Sequence, residues 1–252
     1  MTRTGLGSHS KSTLVRTGDW FFKYRNMIFT LIAIVLFLGF RPVPLDNNPD
    51  MDKWLDFVGI CFAIAGSSFR AWAIGLEYIK RGGVDKKVFA ESLIVGGMFS
   101  VCRNPLYLGN LLILIGLFLV YNNPWIYCLG GGFFLFAYSA IIAAEEYFLQ
   151  NKFGAEYEEY CRSVPRFMPD FRRYSQGTRG MSFSWRRPLI KDYSSIYAWI
   201  IAILLINLQE YILWGLGEIS LIALWPYWTL TIVASFVAIV VRFFKKAGRL
   251  TE

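Results

Sequence analysis

The 252-residue sequence contains a single histidine, His9, set in a polar N-terminal stretch. That scarcity excludes Ser-His and Cys-His nucleophilic triads, histidine-ligated metal centres and histidine-ligated haem. Cysteine is almost as scarce. Cys61, Cys102, Cys128 and Cys161 show no CxxC or paired spacing, so the pattern predicts neither a disulfide framework nor a zinc site, and all four read as reduced, structural residues with no metal bound. Charge is thin as well. Only 17% of residues are charged, against 55% hydrophobic and 18% aromatic, too apolar for an ordinary soluble domain and too aromatic for a disordered one. No apolar leader with a small-residue cleavage site opens the chain. Residues 1–19 are polar and basic, which marks the first helix as a retained anchor. There is no internal repeat and no second soluble domain.

What is present is a series of long apolar runs, the signature of membrane helices. They predict an all-α integral membrane protein with about six transmembrane helices, a short amphipathic cytosolic helix and both termini cytoplasmic. The expected spans are 27–40, 54–78, 105–120, 125–144, 196–213 and 219–241, with 20–25 carrying the first helix into the headgroup region. Arg41-Pro-Val-Pro44 ends the first span. Lys80–Lys87 and Gly215–Glu218 read as turns, and Gly96-Gly97 breaks a short interfacial segment over 88–103. The net charge of +8 is distributed by side: 23 of the 26 Lys and Arg fall in the tails and loops of one face, Arg41 and Lys53 on the other, and Arg70 within a span. By the positive-inside rule the first face is cytoplasmic, so the basic balance reflects topology and not nucleic-acid binding. The chain divides into a basic tail (1–26), a first span and external loop (27–53), a core (54–170), a basic linker (171–195) and a C-terminal transmembrane hairpin with a basic tail (196–252).

Four groups of residues in this frame can carry chemistry. Arg103-Asn104-Pro105 opens the third span. Proline suits a first helical turn, Asn104 is a natural N-cap, and free amides with a fixed guanidinium attract an anion. A capped helix with an interface arginine explains the same residues equally well. Glu145 and Glu146 close the fourth span, where two acids oppose the helix dipole. They diverge by about 100°, so one ligand cannot use both alike. Phe153–Pro169 reads as an amphipathic surface helix bearing Phe153, Tyr157 and Tyr160, then a strip stiffened by Pro165 and Pro169 around Arg166. Finally, Arg70 and Glu77 share one face of the second span. A membrane-embedded charge takes a partner or a function, and Glu77 or an anionic headgroup is the candidate.

Arg103-Asn-Pro-Leu-Tyr-Leu-Gly109, Glu145-Glu146, Phe153-Gly154-x-x-Tyr157-x-x-Tyr160 and Val164-Pro-Arg-Phe-x-Pro169 together resemble the isoprenylcysteine carboxyl methyltransferase and phospholipid methyltransferase superfamily, as do Phe69–Ala73 and Leu93–Phe99, over roughly 55–170. The resemblance implies integral membrane enzymes that use S-adenosyl-L-methionine in a cytosolic pocket. It assigns Leu93, Gly97, Phe99, Arg103, Asn104, Pro105, Tyr107, Gly109, Glu145, Glu146, Tyr157 and Tyr160 to cofactor binding, with Tyr157, Tyr160 and Arg166 closing the lid. Arg103, Glu146 and Arg70 are the catalytic candidates, and Arg70, Glu77 and Arg166 the substrate-binding ones. The chain departs from the family pattern where Asn104 replaces a usual histidine, where Glu91 stands near a missing upstream histidine, and where Gly97-Met-Phe99 replaces Gly-Pro-Tyr.

Methyl transfer from a sulfonium needs no metal and, with an anionic oxygen acceptor, no general base, in keeping with the missing histidine. Three arginines and no evident base favour a phosphate or carboxylate of a lipid or lipidated substrate entering from the membrane. The rival readings are a phospholipid amine N-methyltransferase, an NADPH-dependent membrane sterol reductase, which resembles the Asn-Tyr-x-Gly region but has an acid where Asn110 stands, and a non-enzymatic lipid-binding or transport protein. The last two spans are expected to face lipid or form a homodimer surface.

Overall fold

A computed structural model describes residues 11–43, 49–77, 88–214 and 224–247. The two turns expected at 80–87 and 215–218 lie outside the described residues. Every regular element described is helical. The long helices are α1 (Thr13–Gly39), α2 (Pro49–Leu76), α3 (Pro105–Tyr121), α4 (Gly131–Phe153), α7 (Arg186–Trp214) and α8 (Trp225–Lys246), and the short ones are α5 (Ala155–Ser163) and α6 (Tyr174–Gly177). A 3-10 turn at Gly97–Ser100 precedes α3, and a π-turn at Ile126–Gly130 leads into α4. Among the described residues, five stretches are long and apolar enough to cross a membrane, and α3 is a shorter apolar helix of 17 residues. Seventeen residues rise about 25 Å, at the lower end of a bilayer crossing. This is an all-α integral membrane protein.

Three helices start or end about two turns or more further out than the hydropathy predicts. The first begins at Thr13, where the Ser12 hydroxyl accepts the Val15 amide, and not near Trp20. The fourth continues to Phe153, two turns beyond the acidic pair, so Glu145 and Glu146 are not at a helix end and the dipole argument for them falls. The helix expected from 196 begins at Arg186. In each case the apolar run marks the part in hydrocarbon, while the helix continues through polar residues.

Two seams position the site. Helices α2 and α3 run antiparallel with glycine against glycine: a Cβ on Gly59 would lie 2.6 Å from the Gly116 carbonyl oxygen, and one on Gly66 2.5 Å from that of Gly109. Without a hydrophobic drive between helices in lipid, such small-residue contacts are what bring backbones together. Helices α1 and α4 pack through aromatic edges, with Phe29 5.2 Å from Phe134 and 5.4 Å from Tyr138 between ring centroids.

Candidate functional site

The site forms where α3 starts and the strip after α5 returns across it. Three bonds fix that strip. The Arg103 amide donates to the Pro165 carbonyl (2.9 Å), the Asp170 amide to the Val101 carbonyl (3.0 Å), and the Asn104 side-chain amide to the Arg166 carbonyl (3.2 Å). Asn104 occupies the N-cap position, but its side chain makes no capping bond. It ties down the strip instead, so the expected cap is corrected, and the first amides of α3 keep no side-chain acceptor. Pro105 is buried at the first helical position.

The acidic pair divides as adjacent helical positions must. Glu145 turns to α3 and accepts from the Tyr107 hydroxyl at 2.7 Å, and the Tyr107 ring lies 5.5 Å from that of Tyr138. Glu146 turns to the strip. Arg166 donates to both its oxygens, at 2.9 and 2.6 Å, the bidentate geometry in which arginine binds carboxylate best. Arg103 Nη1 lies 3.7 Å from Glu146 Oε1 and donates to the Cys161 sulfur at 2.6 Å. Arg103 Nε is buried with no acceptor. Burial opposes the charge on Arg103, but Cys161 and Glu146 outweigh it and hold the guanidinium pKa above its ordinary value. Arg103 is therefore a permanent cation with a spare donor.

Helix α5 supplies one wall. Tyr157, Tyr160 and Val164 are buried together, with Leu93, Phe153 and Cys161 against them. The Tyr160 hydroxyl donates to the Phe99 carbonyl at 2.8 Å. Burial, and then the charge of Glu146, push the Tyr157 phenol pKa well up; burial, and then Cys102, do the same to Tyr160. Both stay neutral donors with apolar rings. Gly97 turns the chain at φ +57°, where a Cβ would press on Leu76 and Glu77 at 3.2–3.3 Å. Beside the site, α3 and α4 leave an apolar cleft of about 220 Å³ lined by Leu108, Leu111, Leu135, Tyr138, Ser139 and Phe167. Phe167 follows Arg166 directly, so the cleft adjoins the charged cluster. A more open groove of about 530 Å³ is lined by Cys161–Pro165, Met168–Asp170 and Arg172.

Leu93, Phe99, Arg103, Asn104, Glu146, Tyr157, Tyr160 and Arg166 thus converge by bonds and packing, with Tyr107 and Glu145 as a second layer. Three expected residues do not join them as supposed. Gly109 sits in the helix seam, where a Cβ would meet Arg70 Cγ at 2.4 Å and the Gly66 carbonyl at 2.8 Å; its role is close packing. Glu77 lies beyond the end of α2, against Gly96, and is not the partner of Arg70. Arg70 is paired with Asp192, and each of its N–H groups meets an acceptor, so none is left for a substrate anion. Asp192 and Cys161 escaped the sequence reading. Asp192 lies in a segment whose basic composition suggests a linker, though it is the lone acid among the basic residues of 171–195 and that contrast signals a partner.

Comparison with known proteins bears on the same stretch of the chain. Residues 55–156 match the phospholipid methyltransferase family. The Xenopus laevis protein-S-isoprenylcysteine O-methyltransferase is 27% identical over 162 residues, 60% of this chain and 54% of that protein. The cobalt-zinc-cadmium resistance protein CzcN of Cupriavidus metallidurans is 35% identical over 84 residues, 33% of this chain and 38% of that one. The nickel-cobalt-cadmium resistance protein NccN of Alcaligenes xylosoxydans xylosoxydans is 31% identical over 80 residues, 32% of this chain and 37% of that one. The chain thus matches about half or less of each relative's length. No solved structure matches it. The resemblance to this superfamily covers the middle of the chain, which holds Arg103, the acidic pair and the start of α5.

Proposed function

We propose that the chain is an S-adenosyl-L-methionine-dependent membrane methyltransferase that acts, at the cytoplasmic face, on an anionic oxygen of a lipid or lipidated substrate. The observation that carries this reading is Arg103: a permanent cation, mostly buried, with an unpartnered Nε beside a carboxylate, a second arginine and two neutral tyrosines. A buried donor without an acceptor is costly, and an anion supplied by cofactor or substrate removes that cost. The residues fit the cofactor. Arg103 would hold its carboxylate, Glu146 its amino group or ribose hydroxyls, and the Tyr157 and Tyr160 rings favour a cation.

When bound, the cofactor supplies an activated methyl group on a positive sulfur. The chain's part is orientation and electrostatics. Proximity is worth up to about 7–11 kcal/mol, and dipoles and charges fixed in a water-poor site add to it. Arg166, 42% exposed on its side chain, can leave Glu146 to meet an acceptor anion, while the apolar cleft beside Phe167 suits the acceptor's hydrocarbon. Among the described residues no side chain stands out as a base poised to strip an ammonium. That supports a phosphate or carboxylate acceptor over an amine.

The test is direct. Purified protein in lipid bilayers is expected to be stabilised thermally by S-adenosylhomocysteine and not by NADPH, and to transfer label from S-adenosyl-L-methionine to acidic lipids. Stabilisation by NADPH alone would turn the reading to a reductase. Stabilisation by neither would leave a lipid-binding protein. Label found on amine headgroups only would overturn the choice of acceptor.

A further inference from the structure

The family match ends at residue 156, yet the most buried charge in the described residues joins it to a helix beyond that point. Arg70 is 2% exposed and Asp192, on α7, is not exposed at all. The carboxylate takes Arg70 Nε at 3.1 Å and Nη2 through its other oxygen. Nη2 also reaches Ser195 Oγ at 3.3 Å. Nη1 turns to α3, to the Leu106 carbonyl at 3.3 Å and to Asn110 Oδ1. Five donors thus meet five acceptors on two helices. Those on α3, Leu106 and Asn110, are one turn apart, and Leu106 stands three residues after Arg103. Gly109, between them, lets the arginine stem pass where a Cβ would block it.

This arrangement is not explained by stability. Well-packed apolar residues usually replace a buried ion pair without loss, whereas removing one partner is costly. What a fully bonded guanidinium adds is geometry, since its planar fork accepts one arrangement of its partners. We propose that Asp192 is a positioning residue of the site: through Arg70 it sets the first turn of α3, and with it Arg103, so that α7 is part of the working unit and not a lipid-facing addition. The proposal rests on the methyltransferase reading for its effect on cofactor binding, and on the structure alone for its effect on α3.

The experiment compares the native chain with Arg70→Met/Asp192→Leu in bilayers, reading thermal midpoint, amide exchange over 103–110 and affinity for S-adenosylhomocysteine. The double substitution is expected to keep a near-native midpoint while exchange over 103–110 quickens and affinity falls, each by about tenfold. A double variant with native exchange and native affinity would overturn the proposal and leave a purely structural pair. Should that variant fail to fold, Asn110→Ala leaves the Arg70–Asp192 pair intact and cuts its side-chain link to α3; faster exchange supports the proposal, unchanged exchange overturns it. If the native chain does not bind S-adenosylhomocysteine, the methyltransferase reading falls, and the exchange arm still decides whether Asp192 positions α3.

Discussion

Two arginines bear on the start of α3, and the fold treats them in opposite ways. Arg70 is sealed, with every donor used and its charge cancelled by Asp192. Arg103, mostly buried, is held by a sulfur and by a carboxylate 3.7 Å away, with one buried donor unused. A satisfied guanidinium can only hold parts of the protein to each other. An unsatisfied one has capacity for something the chain does not contain. Sequence treats the two alike, as basic residues at a membrane; their hydrogen bonds separate frame from site.

The largest expected effect breaks the sealed centre. Asp192→Leu alone strands Arg70 in the interior and is expected to destabilise the protein by about 3–5 kcal/mol, read as a large loss of thermal midpoint in detergent or bilayers. A loss no greater than that of an exposed substitution would mean that water reaches Arg70. Breaking the open centre should look different. Glu146→Ala or Arg103→Ala is expected to lower methyl transfer about 100-fold or more, yet to cost stability only about 0–1 kcal/mol, because the pairs lost are partly solvated. Turnover with labelled cofactor and the thermal midpoint, taken together, separate the two. Full activity in both variants would refute the site.

Much of this division was legible in the sequence, and the failures have physical causes. Apolar runs located the membrane helices because burial in lipid demands them, but those runs stop where hydrocarbon stops, and so they missed the polar turns at Thr13, Phe153 and Arg186. The divergence of Glu145 and Glu146 followed from helix geometry alone, and it decides which of them faces Arg103. The partner of Arg70 did not follow. Spacing pointed to Glu77 along the same helix, while the structure takes Asp192 from 122 residues away, a distance that no local pattern reports. Gly109 carries a packing signal in its spacing. Gly59 and Gly66 are seven apart, as are Gly109 and Gly116, and equal spacing of small residues on two antiparallel helices is a packing pattern.

That pattern yields a sharper test between frame and site. Gly109→Ala would drive a methyl group into Arg70 and the Gly66 carbonyl, and it is expected to cost about 1–3 kcal/mol through overpacking. Gly131→Ala, in open space at the start of α4, is the control, expected to be neutral or stabilising by about 0.4–1 kcal/mol. If Gly109→Ala kept its thermal midpoint but lost S-adenosylhomocysteine binding, Gly109 would return to the cofactor wall and leave the seam.

The smallest expected effect lies at Cys102. It is fully buried next to Arg103, and burial pushes its thiol pKa up to about 11. The folded state therefore keeps the proton while an unfolded chain begins to release it near the ordinary thiol value of about 9. In that window the unfolded state binds fewer protons, so stability falls as pH rises, and what this group contributes at neutral pH is lost progressively toward about pH 11. Between about pH 8 and about pH 10 the loss is about 1 kcal/mol. Tyr157 and Tyr160, also shifted upward, add their own decline at higher pH, so the native curve alone does not isolate the thiol. Cys102→Ala does. The thermal midpoint of the variant is expected to fall less steeply than that of the native chain over this range, though from a lower starting value because a buried sulfur has been removed. Parallel curves would show that Cys102 reaches water in the folded chain, and that the backbone beside Arg103 is more open than its burial implies.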